Sequence, residues 1–275
     1  MTHRQGTVGL GRASERLSRA PATRELELDS DTLLATPERP DHRFGNRLLI
    51  HPDSPVAAMA SALVRYGEVA RRLDLPAEPC ASVELSLNRP TYAYLQMAWA
   101  REATVVVDDV LLLERESLPD GANRLTVRPL EADEWDAVAR CAVPQDGFVE
   151  SGLRTWLLRQ RRARVERGGG TFFGGWFQGR LVASCGLFHD PAVGRLDQLL
   201  VTPDSRGMGF GSEMIVEVSR RAPNVPLVME PLRGDWRSAM YQRLGYRPVS
   251  TTVTVIAESF RESQADDGPP ASARS

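Results

Sequence analysis

Between Leu196 and Ile215, a strand-like run, a proline turn, a glycine loop and an amphipathic helix follow one another directly. The strand reads Leu196-Asp197-Gln198-Leu199-Leu200-Val201, and Thr202-Pro203-Asp204-Ser205 turns the chain. Arg206-Gly207-Met208-Gly209-Phe210-Gly211-Ser212 then enters a helix with Met214, Ile215 and Val218 inward. Glycines let backbone N–H groups approach an anion without a Cβ in the way. The first turn of a helix adds unpaired N–H donors and the positive end of its dipole. Together these features make a seat for a diphosphate, with the charge of Arg206 beside it. The loop is not a Walker loop, because Gly-Lys-Ser/Thr is absent. Nor is it a dinucleotide fingerprint, which needs Gly-x-Gly-x-x-Gly after a strand and an acidic residue after the next one. Taken alone, such a loop could also merely reverse the chain.

The rest of the chain narrows the partners. A length of 275 residues allows one large domain or two small ones. With 42% hydrophobic and 25% charged residues, the composition is that of a globular chain, not a collagen or a coiled coil. No apolar run reaches the ~18 residues of a spanning helix, so no membrane partner is expected. The net charge of −2, from 34 basic and 36 acidic residues, gives no excess for nucleic acid. All the basic residues are arginine and isoleucine is rare, which points to a GC-rich, bacterial genome. Cys80, Cys141 and Cys185 form no C-x-x-C pair, and His3, His42, His51 and His189 are scattered. Neither a disulfide framework nor a metal site is expected. The basic N-terminus lacks the apolar segment of a secretory signal, so the expected compartment is the cytoplasm.

The pattern predicts an α/β protein in two blocks. Residues 1–22 read as a disordered arm and 260–275 as a disordered polar tail. The first block, 23–117, offers a strand at Arg47–Ile50, a helix over Val56–Arg72 and a strand at Ser82–Leu87. A helix from Pro90 to Trp99 and strand material around Asp108-Asp109 complete it. A turn-rich linker at 118–124 leads to the second block, 125–259. There a strand at Leu125–Leu130 precedes helices over Ala132–Cys141 and Val149–Arg164. Thr171–Phe177 and Arg180–Phe188 form a hairpin closed at Gln178-Gly179. Strands at Arg195–Val201, Val225–Glu230 and Val249–Ile256 then alternate with helices ending at Arg221 and Leu244.

Residues 124–258 resemble a GNAT-type N-acetyltransferase domain. Arg206, Gly209 and Gly211 match that family's Arg/Gln-x-x-Gly-x-Gly/Ala loop, and Leu196-x-x-Leu199-x-Val201 matches the strand before it. Met240-Tyr241-Gln242-Arg243-Leu244-Gly245-Tyr246 is similar to the family's Leu-Tyr-x-x-Leu-Gly-Phe helix end. One departure is Gly234, which stands where many members carry Asn. The resemblance implies a GNAT acyltransferase fold, with a mixed, mostly antiparallel central sheet flanked by helices, and acetyl-CoA as co-substrate. It implies a cofactor site at Leu199, Leu200, Val201, Arg206, Gly207, Met208, Gly209, Phe210, Gly211 and Ser212. It also implies a bulge in the strand Arg195–Val201, with the Leu199 N–H facing the thioester carbonyl. Tyr94-Leu95-Gln96-Met97-Ala98-Trp99 echoes the Tyr241 segment, so the first block reads as a smaller, degenerate GNAT-like half. It has no glycine loop before that helix, and no second cofactor site is expected there. His42-Arg43-Phe44-Gly45-Asn46 is read as structural, touching the second block.

Acetyl transfer to an amine needs a proton acceptor, an oxyanion donor and an acid for the leaving thiolate. An alkyl amine of pKa ~10.4 is almost wholly protonated at neutral pH. Tyr241 matches the family's general acid, with helix-end packing as the alternative. On a regular strand Arg195, Asp197 and Leu199 share a face, the one the resemblance assigns to the acceptor. Asp197 is the first candidate base and Glu230 the second. An ion pair between Asp197 and an arginine stands beside that role, as does catalysis without a dedicated base. The expected activity is N-acetylation of a small-molecule or protein amine. A non-catalytic acyl-CoA-binding module is the alternative, and a homodimer and longer acyl groups are left open.

Overall fold

The computed structural model describes residues 8–75, 78–120, 123–141 and 151–257. Within them, eleven strands form one continuous mixed sheet, mostly antiparallel, with helices on both faces. The outer strands of the first half are β1 (Arg24–Leu28), β2 (Asp31–Ala35), β3 (Arg47–Leu49) and β4 (Cys80–Ser86). Their counterparts in the second half are β7 (Gly170–Phe177), β8 (Arg180–His189), β9 (Gly194–Val201) and β10 (Leu227–Met229). Each set runs antiparallel, antiparallel, parallel. A helix bridges each parallel pair: α2 (Val56–Leu73) in the first half and α6 (Phe210–Arg221) in the second. A shorter helix then leads to a long last strand. In the first half these are α3 (Tyr92–Trp99) and β5 (Ala103–Leu113), in the second α7 (Trp236–Arg243) and β11 (Tyr246–Ala257). β6 (Thr126–Pro129) adds an edge beside β7.

The two halves exchange their last strands. β11 lies between β4 and β5, and β5 lies between β11 and β10. Each half thereby covers what would be the other's open edge, and backbone groups left unpaired there would be costly. The cores follow the exchange. Val253 and Val255 of β11 pack with α2 and α3, while Leu111 and Leu113 of β5 pack with α6 and α7. The blocks expected at 23–117 and 125–259 therefore share one sheet, although 118–124 does connect them in sequence.

Alternation along β5 fixes the faces. Val105, Leu111 and Leu113 face the side of α2, α3, α6 and α7. Val110 and Leu112 face the other side, with α4 (Trp135–Cys141), α5 (Ser151–Glu166) and α1 (Leu10–Ser18).

Helix α1 corrects the reading of 1–22 as a disordered arm; residues 1–7, like the tail 260–275, lie outside the described residues. Its polar composition concealed how many partners it meets. Its free N-terminal N–H groups, those of Gly11 and Arg12, bond to the Glu84 carboxylate at 3.2 and 3.0 Å. Gly11 lets the helix approach closely, since a Cβ there would come within 2.9 Å of Val110. Glu15 pairs with Arg47, and Arg164 Nη1 bonds to the carbonyls of Arg16 and Arg19. The strands β1 and β2 were also missed: β1, Arg-Glu-Leu-Glu-Leu, is an edge strand whose side chains are mostly exposed.

Most local expectations match. Gln178 and Gly179, with φ of 50° and 76°, close the β7–β8 hairpin as a two-residue turn whose twist suits its strands. Asp235 caps α7 by accepting from Arg237 N at 2.8 Å. The His42 segment does meet the second half: the rings of His42 and Trp156 lie 5.7 Å apart, and Arg39 Nη1 bonds to Gly152 O at 3.4 Å.

Candidate active site

Parallel strands normally stay paired, but β9 and β10 do not. Only Gly194–Leu227 and Arg195–Val228 are in register, and beyond them the strands part. A cleft of about 800 Å³ opens between them. Its walls are the end of β9, the loop into α6, residues 229–232 and one face of α7. In the first half the equivalent strands stay joined: Ile50 N bonds to Ser82 O and Asp53 N to Glu84 O, both at 2.9 Å. There the Tyr94 hydroxyl donates to the Ser54 carbonyl across the corresponding place.

Every expected cofactor residue except Met208 lines the cleft of the second half. Met208 serves the loop through its carbonyl, which accepts from Arg124 Nη1 at 3.0 Å. Arg124 also pairs with buried Glu213 at 3.0 Å and stacks over Phe210. Glu213 in turn accepts from Leu125 N at 2.7 Å. This brace holds the loop at the start of α6. Gly207 and Gly209 sit at φ of 77° and 82°, and no side chain caps α6. Phe210, Gly211 and Ser212 of its first turn line the cleft, an arrangement that suits a diphosphate.

β9 carries the expected bulge. Gln198 adopts φ 54°, and the β8–β9 register shifts between Ser184–Leu200 and Gly186–Asp197. The extra residue changes the parity of the strand. Arg195 and Asp197 still share the α5 face, but Leu199 and Val201 turn toward the core under α6. The expectation that Leu199 shares a face with Asp197 is thus corrected.

Asp197 meets Arg161 of α5, Oδ2 to Nε at 2.6 Å. Burial alone would raise its pKa, but Arg161 and Arg195 hold it below the usual carboxylate range. The ion pair left open in the sequence is the arrangement observed, and such a carboxylate is a weak base. Glu230 pairs with Arg195 at 2.9 Å and accepts from Ser14 Oγ at 2.9 Å, and burial raises its pKa. Tyr241 is buried among the core residues but reaches the cleft wall from α7, and burial keeps its phenol protonated to higher pH than usual. Trp236, Arg237 and Arg243 of α7 also line the cleft and were missed. Trp236, Met240 and Arg243, spaced for one helix face, were the available signal. Arg161 and Ser14 were missed too, and no local pattern marks either. Among the described residues, no cluster of His, Cys, Asp and Glu is arranged for a metal, and no helix is long and apolar enough to cross a membrane.

A strand pair split beside a glycine loop and helix N-terminus, repeated as a closed version in the other half, defines a tandem repeat of one α/β architecture. Residues 134–246 match the acetyltransferase (GNAT) family. A comparison with curated proteins finds no match. Solved structures share the fold, among them the following three. One is a functionally unknown conserved protein from Staphylococcus epidermidis, with TM-score 0.71 and 12% identity over 86% of this chain and 94% of that one. Another is a GCN5-related N-acetyltransferase from Kribbella flavida, with TM-score 0.64 and 19% identity over 93% and 97%. The third is a tandem GNAT protein from the clavulanic acid biosynthesis pathway, with TM-score 0.55 and 16% identity over 87% and 84%.

Proposed function

We propose that the protein is an acetyl-CoA-dependent N-acetyltransferase in which an amine attacks the thioester directly. The observation carrying this reading is the split of β9 from β10 beside the uncapped N-terminus of α6, with Tyr241 on the opposite wall. The loop from Arg206 to Ser212 holds the diphosphate through backbone N–H groups. The bulge at Gln198 frees the Leu199 N–H to donate to the oxygen that becomes negative on attack. Tyr241 returns a proton to the departing thiolate; because burial raises its pKa, the transfer runs as charge builds on the sulfur beside it. Asp197 holds Arg161 in place rather than accepting a proton.

Thiol titration with acetyl-CoA and a panel of small and peptidyl amines tests this reading. Release of free CoA that depends on the amine is expected. Stabilisation by acetyl-CoA with no thiol release from any acceptor would instead identify a binding module.

A further inference from the structure

We infer that Asp108, supplied by the first half through the exchanged strand β5, is the proton acceptor of the amine bound at the second half's cleft. This rests on the acetyl-transfer reading above.

Three carboxylates of the central strands stand beside the parting of β9 and β10 on the α1 face. Asp197 is held by Arg161, and Glu230 is held by Arg195 and Ser14. The third is Asp108. Its neighbour Asp109 bonds to Arg233 and Ser238 on the α7 side, so Asp108 faces the opposite way, with Val110. Asp108 is half-buried, and its side chain has no hydrogen bond or ion pair among the described residues.

Its position follows from the register. Glu84, Thr252, Asp108 and Leu232 form one row across β4, β11, β5 and the segment after β10. Leu232 and Glu230 line the cleft, so Asp108 stands one strand away from it. Adjacent strands lie about 5 Å apart, so the proton path from the cleft to the Asp108 carboxylate runs through bridging water. The Glu84 carboxylate in the same row is already taken by Gly11 N, Arg12 N and Ser250 Oγ.

The surroundings favour a base that works near neutrality. Burial, and then the Glu230 carboxylate, push Asp108 up to about 7; Asp109 acts the same way, while Arg47 and Arg195 oppose. Of the three carboxylates, this one combines a free lone pair with raised basicity.

The proton balance closes. Asp108 takes one proton from the ammonium, through water, and the free amine forms the C–N bond. The C–S bond breaks, and the thiolate takes the proton of Tyr241. The second proton leaving nitrogen restores the phenol through solvent, and Asp108 returns its proton to solvent.

The test compares kcat/KM against pH for wild type, Asp108→Asn and Asp108→Glu with an amine that supports thiol release. Wild type should show an acidic limb with an apparent pKa near 7. Asp108→Asn should lose about 100-fold in kcat/KM together with that limb. Asp108→Glu should recover part of the activity. Acetyl-CoA affinity should stay within about twofold throughout, which separates loss of a base from loss of structure. Turnover by Asp108→Asn within about threefold of wild type, or an unchanged acidic limb, overturns the inference. Potentiometric titration provides a readout without turnover: Asp108→Asn should bind one proton fewer between about pH 6 and 8. An unchanged proton count overturns the inference by itself. Absence of thiol release from every amine, with the proton count as expected, defeats the acetyl-transfer reading and with it the catalytic role.

Discussion

Arg195 on β9 and Glu230 at the end of β10 join at 2.9 Å beside the point where their strands separate. The pair lies on the α1 face, and the Ser14 hydroxyl meets both members. Strands that part lose their hydrogen-bond ladder, and this ion pair ties their side chains together where the ladder stops. Its members are 13% and 11% exposed, so removing one strands the other in a poorly solvated place. Arg195→Gln, which leaves Glu230 and Asp197 without this cation, is expected to cost about 3 kcal/mol, measured by urea denaturation at neutral pH.

Tyr241→Phe keeps the ring against Tyr246, whose centroid is 6.2 Å away, and removes only the hydroxyl. Turnover should fall on the order of 100-fold, while the Kd for acetyl-CoA changes little. Calorimetry and thiol release, run on one preparation, separate the two. Unchanged turnover would remove Tyr241 from the mechanism.

The two glycines with positive φ in the loop should respond differently. At Gly207 an added Cβ meets nothing within 4 Å, so Ala adds backbone strain alone, about 1 kcal/mol. At Gly209 the Cβ would also come 3.1 Å from Arg124 Nη2, part of the brace under the loop. Gly209→Ala should weaken acetyl-CoA binding about tenfold, more than Gly207→Ala does. Equal effects would mean that the brace does not shape the anion seat.

Arg161→Gln leaves Asp197 buried without its closest counter-charge. The expected loss is about 3 kcal/mol near pH 7. The sign of the pH dependence follows from the lowered pKa of Asp197. Its stabilising share is present above the ordinary carboxylate value of about 3.9 and is lost as pH falls through the still lower folded value. Without Arg161, burial raises the Asp197 pKa in the variant, so the gap should narrow as pH falls from the variant's higher value through the wild type's lowered one, which denaturation across a pH series checks.

Asp108 has the opposite sign. With a folded pKa of about 7, the native chain binds this proton more tightly than the unfolded chain does. The stabilising share is complete below about pH 4 and is lost as pH rises through 7. Asp108→Asn should then be more stable than wild type at about pH 8, by roughly 4 kcal/mol, and lose that advantage in acid. A constant difference across that range would show that Asp108 titrates normally.

Legibility divides by the range of the interaction. The glycine loop proposed as the anion seat was readable because every part of it lies within Leu196–Ser212: strand, turn, glycines with positive φ and helix start are set by neighbours in sequence. The hairpin at Gln178-Gly179 and the helix bearing Tyr241 were legible for the same reason. The bulge came from the family resemblance, but its effect on parity did not, since that depends on how β9 registers with β8. Arg161, one arginine among many on a polar helix, carries no mark of the carboxylate it will meet.

Local chemistry in the chain thus determined the elements and the glycine loop, through backbone preferences and apolar periodicity that act over a few residues. The tertiary structure decided that β5 and β11 trade places, that residues 10–18 form a helix on a polar sheet face, and that Asp108 of one half stands beside the cleft of the other. Those outcomes rest on hydrogen bonds and burial between residues far apart in sequence, where the open edge of each half finds its partner strand only once both halves have folded.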